Sequence, residues 1–306
     1  MTKFVDTQFA PPSRDGVGAS CIVLPPGPWL LLIDFLVARF PAITQAVWQA
    51  RLLNGEVFNA SGHPLPADAS YQARSKIFYY RSVPVETSIP FEEQIVFQDA
   101  YLVAVDKPHF LPVTPAGRYV QQTLLVRLKR KLGIDTLAPI HRIDRETAGL
   151  VMFSIQPSTR AAYQQLFRER AVTKHYEAIA RWQPSLALPM VIRNRLAEAA
   201  SFMKMQVVDG EPNAETRIAL LKVEGALARY ALDPATGQRH QLRVQMEALG
   251  MPILNDRIYP HHLPETVEGE PEDFTAPLQL LAKSLFFVDP VTGQERAFES
   301  RLSLLF

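Results

Sequence analysis

The sequence predicts an α+β protein with one large domain preceded by a small one. Three observations carry this reading. At 306 residues the chain can hold one large core and a second, smaller one. Its apolar runs beyond residue 94 are mostly of strand length and are separated by turns rich in Pro, Gly and Asp. Between them lie a few stretches whose apolar residues recur at helical spacing.

Hydrophobic residues make up 47% of the chain and charged residues 21%, the proportions of an ordinary soluble globular protein. Lys and Arg total 32 against 31 Asp and Glu, so no overall basic field draws the chain to nucleic acid, and any such contact must use a local patch. The single cysteine, Cys21, excludes an intrachain disulfide and a Cys-rich zinc site. No apolar run reaches the ~18 residues of a membrane span, and the first residues lack the apolar centre of a signal peptide. A cytoplasmic protein without a membrane partner is expected. Asn59-Ala60-Ser61 matches a glycosylation sequon only by chance in such a compartment.

Residues 1–28 hold Pro11, Pro12, Gly16, Gly18, Pro25, Pro26 and Pro28 with little periodicity, and read as an extended arm. From Trp29 the pattern turns helical. Leu32, Phe35, Leu36 and Phe40 share a face that Pro41 ends, and Ile43, Val47, Trp48 and Leu52 predict a second helix closing near Asn54-Gly55. Residues 63–90 place Lys76-Ile77-Phe78-Tyr79-Tyr80 among prolines, a strand within a linker. The small domain with its linker is thus 29–90 and the large domain 91–306.

The large domain opens with two β-rich runs around a polar turn, residues 95–108, hence a hairpin. Leu124, Leu125, Leu128 and Leu132 then describe an amphipathic helix stopped by Gly133, with Arg127, Arg130 and Lys131 outward. Those cations are either a solvated face or a phosphate-binding patch. Residues 141–147 carry charges of both signs directly before the apolar run Leu150 to Phe153, so the charges sit at the mouth of a sheet. A neighbouring cation, Arg142 or Arg145, would hold Asp144 ionised, and an ionised, positioned Asp can act as nucleophile or base. The same residues could equally be a solvated turn with local ion pairs.

Ser158 is expected to cap a helix with Ala162, Tyr163, Leu166 and Phe167 inward. Period-two alternation over residues 172–180 puts Lys174, Tyr176 and Ala178 on one strand face. Residues 183–215 read as a surface excursion, and 216–221 as a strand. The turn Asp233-Pro234-Ala235-Thr236-Gly237-Gln238 recurs as Asp289-Pro290-Val291-Thr292-Gly293-Gln294, each predicted to close a hairpin. Leu242, Met246 and Leu249 give a helix ending at Gly250, and residues 278–287 a closing strand.

Residues 141–150, His-Arg-Ile-Asp-Arg-Glu-Thr-Ala-Gly-Leu, resemble the His-Arg-Leu-Asp-x-x-Thr-Ser-Gly-Leu signature of RNA pseudouridine synthases, in the RluA-like branch that modifies ribosomal and transfer RNA. Further blocks follow in family order. The hairpin ends in Lys107-Pro108; Lys174 to Ala178 is similar to Lys-x-Tyr-x-Ala; residues 237–246 resemble Gly-Arg-x-His-Gln-Ile-Arg-x-His-Leu; and residues 252–259 resemble Pro-Ile-x-Gly-Asp-x-x-Tyr. The departures are Ala148 for Ser, Gln245 for His, Asn255 for Gly and Leu281 for His.

The resemblance implies the pseudouridine synthase fold, a long mixed but mostly antiparallel sheet with flanking helices and a central cleft, and a small S4-like domain at residues 29–90. It implies a monomer that isomerises uridine in a ribosomal or transfer RNA stem-loop without a cofactor or metal. Catalytic roles fall to Asp144, to Tyr176 under the flipped base and to Arg243 paired with the Asp. Arg142, His141, Leu242, Lys174 and Lys107 are implied to hold the nucleotide, with Arg127 and Arg130 as a further RNA patch. Two other functions fit parts of the pattern. An inactive RNA-binding or assembly factor would have no need of a buried carboxylate. A glycosidase using Asp144 and Glu146 would need a separation across a sugar that adjacent turn positions seldom supply.

Overall fold

The computed structural model describes residues 11–81, 83, 86–200, 204–263 and 272–306. It divides into two compact units, Met1–Val85 and Glu86–Phe306.

In the first unit, strand β1 (Ser20–Val23) is followed by helices α1 (Leu32–Arg39) and α2 (Gln45–Leu53) and strands β2 (Val57–Asn59) and β3 (Lys76–Tyr79). The three strands form an antiparallel sheet in the order β1-β3-β2. Both predicted helices are present, and the Thr44 hydroxyl caps α2 by accepting from the Val47 amide. Phe35, Leu36, Trp48, Val57 and Ile77 are buried together. The expected arm is corrected here: residues 20–23 are a paired strand and Leu24 is part of that core, because a strand only four residues long carries too little alternation to be read. Arg51, the one basic residue of α2, is also buried, with its guanidinium 4.9 Å from the Trp48 ring.

The second unit is built on one sheet. Its elements are β4 (Gln94–Gln98), β5 (Leu102–Lys107), α3 (Leu124–Leu132), β6 (Ala138–Pro139), β7 (Ala148–Ser154), α4 (Arg160–Arg168), β8 (Thr173–Arg181), β9 (Met190–Glu198), β10 (Met205–Val208), β11 (Ala214–Glu224), β12 (Leu227–Pro234), α5 (Gln241–Ala248), β13 (Leu280–Val288) and β14 (Glu295–Glu299). The path runs β10-β9-β11-β12-β8-β13-β7-β5-β4, with β14 on β13 and β6 on β7. Every pairing is antiparallel except β13 with β7, which meet in parallel at Leu281–Ala148 and Ala282–Gly149.

That parallel seam explains the glycine of the central motif. Gly149 has φ +107°, and a Cβ there would come within 2.7 Å of the Ala282 amide nitrogen and closer still to its carbonyl oxygen. Only glycine permits this conformation and this approach. On one side of the seam, Val103, Val105, Val151 and Phe153 pack with Leu124 and Leu128 of α3. On the other, Ala178, Tyr230 and Leu232 pack with Leu242 and Met246 of α5.

Three readings of the large domain need correction. Residues 183–215 contain β9 and β10, whose half-exposed faces and flanking prolines hid the strand signal. The Asp233–Gln238 turn leads from β12 into α5; only its repeat at Asp289–Gln294 closes a hairpin, between β13 and β14. Helix α4 is preceded by Thr159, not Ser158, at its N-cap, and Tyr163 alone of its predicted inner face is fully buried.

Candidate active site

The loop from residue 140 to 147 enters strand β7 and is pinned from three sides. Met152 donates its amide to His141 Nε2 at 3.1 Å, and the His141 ring stacks on Phe167 with centroids 4.4 Å apart. The Lys107 ammonium, wholly buried at the end of β5, donates to the carbonyls of Pro108 (2.8 Å) and Arg145 (2.9 Å). His109 Nδ1 donates to the Glu146 carbonyl at 2.7 Å. Burial lowers all three: His141 to about 3, His109 to about 4 and Lys107 to about 7, the last opposed by Glu146 and Asp144. His141 and Lys107, expected to touch substrate, both brace the loop, and neither lines the cavity that Asp144 faces.

The pinned loop presents Asp144 to a cavity of about 790 Å³, lined also by Arg142, Tyr176, Gln238, His240, Leu242, Arg243 and Leu280. Asp144 Oδ2 accepts from Arg243 Nη1 at 3.0 Å, and His240 Nε2 lies 3.9 Å away. Burial would raise the Asp144 carboxyl, but Arg243, with His240 and Lys107, more than offsets this and holds it below its ordinary value. The cation that ionises Asp144 is therefore neither of its chain neighbours. Arg145 turns away, donating to the Phe110 carbonyl and pairing with Glu272 and Glu146.

Arg243 is itself fixed. It is 2% exposed, and its Nε and Nη2 grip the two oxygens of Asp256, each at 2.7 Å. Burial would lower it, but the two carboxylates hold it firmly protonated. Asp256 also accepts from the amides of Ile258 and Tyr259. Asn255, which stands where the family signature has Gly, has φ +63°, a conformation Asn tolerates, and so the turn survives the replacement. Behind Arg243, buried amides tie α5 to the sheet: Gln241 Nε2 donates to Thr216 Oγ1 (2.9 Å), Thr216 donates to Gln245 (2.6 Å), and Gln245 donates to Asn194 (3.0 Å). Gln245 therefore does at the family's His position the work of a fully bonded core residue.

Tyr176, on β8 opposite Leu232 and Ala282, lines the same cavity. Burial and then the Asp144 charge push its phenol far up, so it remains neutral. Arg142 is exposed at the cavity wall. Lys174 lies outside this cavity, its ammonium on the Thr236 carbonyl at 2.8 Å. Arg127 and Arg130 also lie outside it. The Arg127 guanidinium donates to the carbonyls of Phe91 (2.6 Å) and Ile89 (2.7 Å) and to Gln122, and lies 3.6 Å from Glu93. Arg130 donates to the Gln121 carbonyl. The Arg127 guanidinium, expected in an RNA patch, is thus engaged by residues of its own fold. Asp256, His240 and His109 were missed from the sequence, although a buried Arg with two fork edges to satisfy calls for a second carboxylate such as Asp256.

A motif loop, a strand tyrosine and a helix arginine thus converge on one ionised aspartate. Residues 101–248 match the RNA pseudouridylate synthase family. The dual-specificity RNA pseudouridine synthase RluA of Haemophilus influenzae is 31% identical over 235 residues, covering 71% of this chain and 97% of that one. This chain belongs to the RNA pseudouridine synthases. It is an isomerase of the RluA-like group. The mitochondrial tRNA pseudouridine(32) synthase of Saccharomyces cerevisiae is 29% identical over 74% of this synthase and half of its own length. The human RNA pseudouridylate synthase domain containing 4 superposes with a TM-score of 0.53 at 26% identity, covering 69% of this chain and 88% of that one. No helix of the synthase is long and apolar enough to cross a membrane, and no cluster of three His, Cys, Asp or Glu suited to a metal occurs, both among the described residues.

Proposed function

We propose that Asp144 is the catalytic carboxylate with which this synthase isomerises a uridine in structured ribosomal or transfer RNA, acting as a cytoplasmic monomer. The observation that carries the reading is the Asp144 carboxylate, kept ionised by a buried Arg243 on Oδ2, in a cavity large enough for a nucleotide. Oδ1 has no hydrogen-bond partner among the described residues and is the oxygen free to react. The reaction breaks the C–N glycosidic bond and joins the same ribose carbon to C5 of the base, whose proton leaves as one returns to nitrogen. The carboxylate serves either as nucleophile or as the base of a glycal path. Tyr176 and Leu242 supply apolar faces for a flipped base, and base stacking on an aromatic ring is worth ~1–3 kcal/mol. Arg142, exposed at the cavity wall, fills the vacated position in the RNA in this reading.

Pseudouridine mapping of total RNA from source cells with and without the gene tests this directly. Wild type should restore one defined site, and Asp144→Asn, folded and still binding RNA, should not. Restoration by Asp144→Asn would remove Asp144 from the chemistry.

A further inference from the structure

Beside the active-site cavity lies a second recess of about 610 Å³, which shares Arg142, Tyr176, Gly237 and Gln238 with it. Its remaining charged lining is Arg168, Arg170 and Lys174, and no carboxylate lines it. The side chains of Arg142, Arg168 and Arg170 make no hydrogen bond or ion pair among the described residues. Glu169, the one acid between them in sequence, is turned to Gln165. The fold places these cations deliberately. Arg168 ends α4, and Arg170 takes φ +58°, an uncommon conformation for a side chain of this size, in the turn before β8. Lys174 is held at the inner end through the Thr236 carbonyl. Like charges gathered without a counterion repel one another, and an anion in the recess would relieve that. Gln164 and Gln238 add neutral donors, and the His141 imidazole is neutral.

We infer that this recess binds a phosphodiester of the RNA strand flanking the target nucleotide, with Arg168 and Arg170 as its phosphate-binding residues and Arg142 at the junction with the catalytic cavity. The inference rests on RNA being the substrate. It accounts for how a chain of net charge +1 can grip a polyanion: the basic charge is concentrated where the strand enters the site.

The test uses the full chain and bulk RNA from cells lacking the gene, following pseudouridine formation across a salt series. The double variant Arg168→Gln, Arg170→Gln removes two exposed side chains and should fold as wild type, which circular dichroism checks. Its KM should rise roughly tenfold, the order expected for two exposed charge-assisted contacts. The slope of log KM against log salt should fall by about one, as expected when one phosphate is no longer neutralised. The charge-keeping pair Arg168→Lys, Arg170→Lys should recover the slope. An active wild type whose KM and salt slope are matched by the glutamine pair would overturn the phosphate recess and leave the uridine reading intact, as would a lysine pair that recovers nothing. A wild type that forms no pseudouridine would remove the uridine reading, and this inference with it.

Discussion

Arg243 is the residue on which the site's charge depends. It satisfies Asp256 with two edges of its fork and Asp144 with a third nitrogen, so its removal strands one fully buried carboxylate and releases another. Breaking a buried pair from one side typically costs about 3–5 kcal/mol, and Arg243→Met should lose that much in urea denaturation. The pH profile separates stability from chemistry. Because the folded Asp144 titrates below its ordinary value, the ionised form persists to low pH, and wild-type activity should fall only below the ordinary carboxylate range. A variant that retains the fold but lacks the guanidinium, Arg243→Gln, should move that acid limb upward; an unmoved limb would mean another cation ionises Asp144. Asp144 and Arg243 were legible in the sequence because each sits in a contiguous, distinctive string. Asp256 also sits in such a string, but the string does not say that its carboxylate pairs with Arg243, a contact made across the left-handed turn at Asn255.

Among the elements, the β7–β13 seam and helix α3 make opposite demands. At the seam, Gly149→Ala introduces both a left-handed strain and a backbone clash, and should destabilise by more than ~3 kcal/mol or prevent soluble expression. A variant melting like wild type would show that β13 can draw back. On α3 the expected apolar face and the stop at the left-handed Gly133 are both present, while the outward Arg127 is bonded to residues 89–93. Helical spacing says which side chains leave the local core; it cannot say that residues 89–93 return to cover them. Arg127→Glu should therefore lower the melting temperature while leaving the salt dependence of RNA binding unchanged. A flattened salt slope would return Arg127 to the RNA surface. The missed strands β9 and β10 have a related cause: along β9 half-buried and exposed positions alternate, but Val191 stands on the exposed face and Asn194 on the inner one, so the apolar alternation is blurred in the sequence.

At the scale of the molecule, the order of family blocks made the long sheet and its central cleft legible, while the neutral composition concealed where a polyanion could bind. The buried clusters of Glu86–Phe306 are composed wholly of its own residues, and the cavity that Asp144 faces is lined by that unit alone. A fragment of residues 86–306 should therefore fold with a single cooperative transition in circular dichroism; a gradual, non-cooperative loss of signal would mean that the core is incomplete without residues 1–85. Asp144 and its guanidinium partner come from opposite sides of the parallel seam and stand 99 positions apart in the chain. During synthesis the aspartate leaves the ribosome long before Arg243 exists. The nascent chain thus carries Asp144 as an ordinary solvated carboxylate, and its buried pairing with Arg243 waits until β13 joins β7 to β8 and closes the sheet.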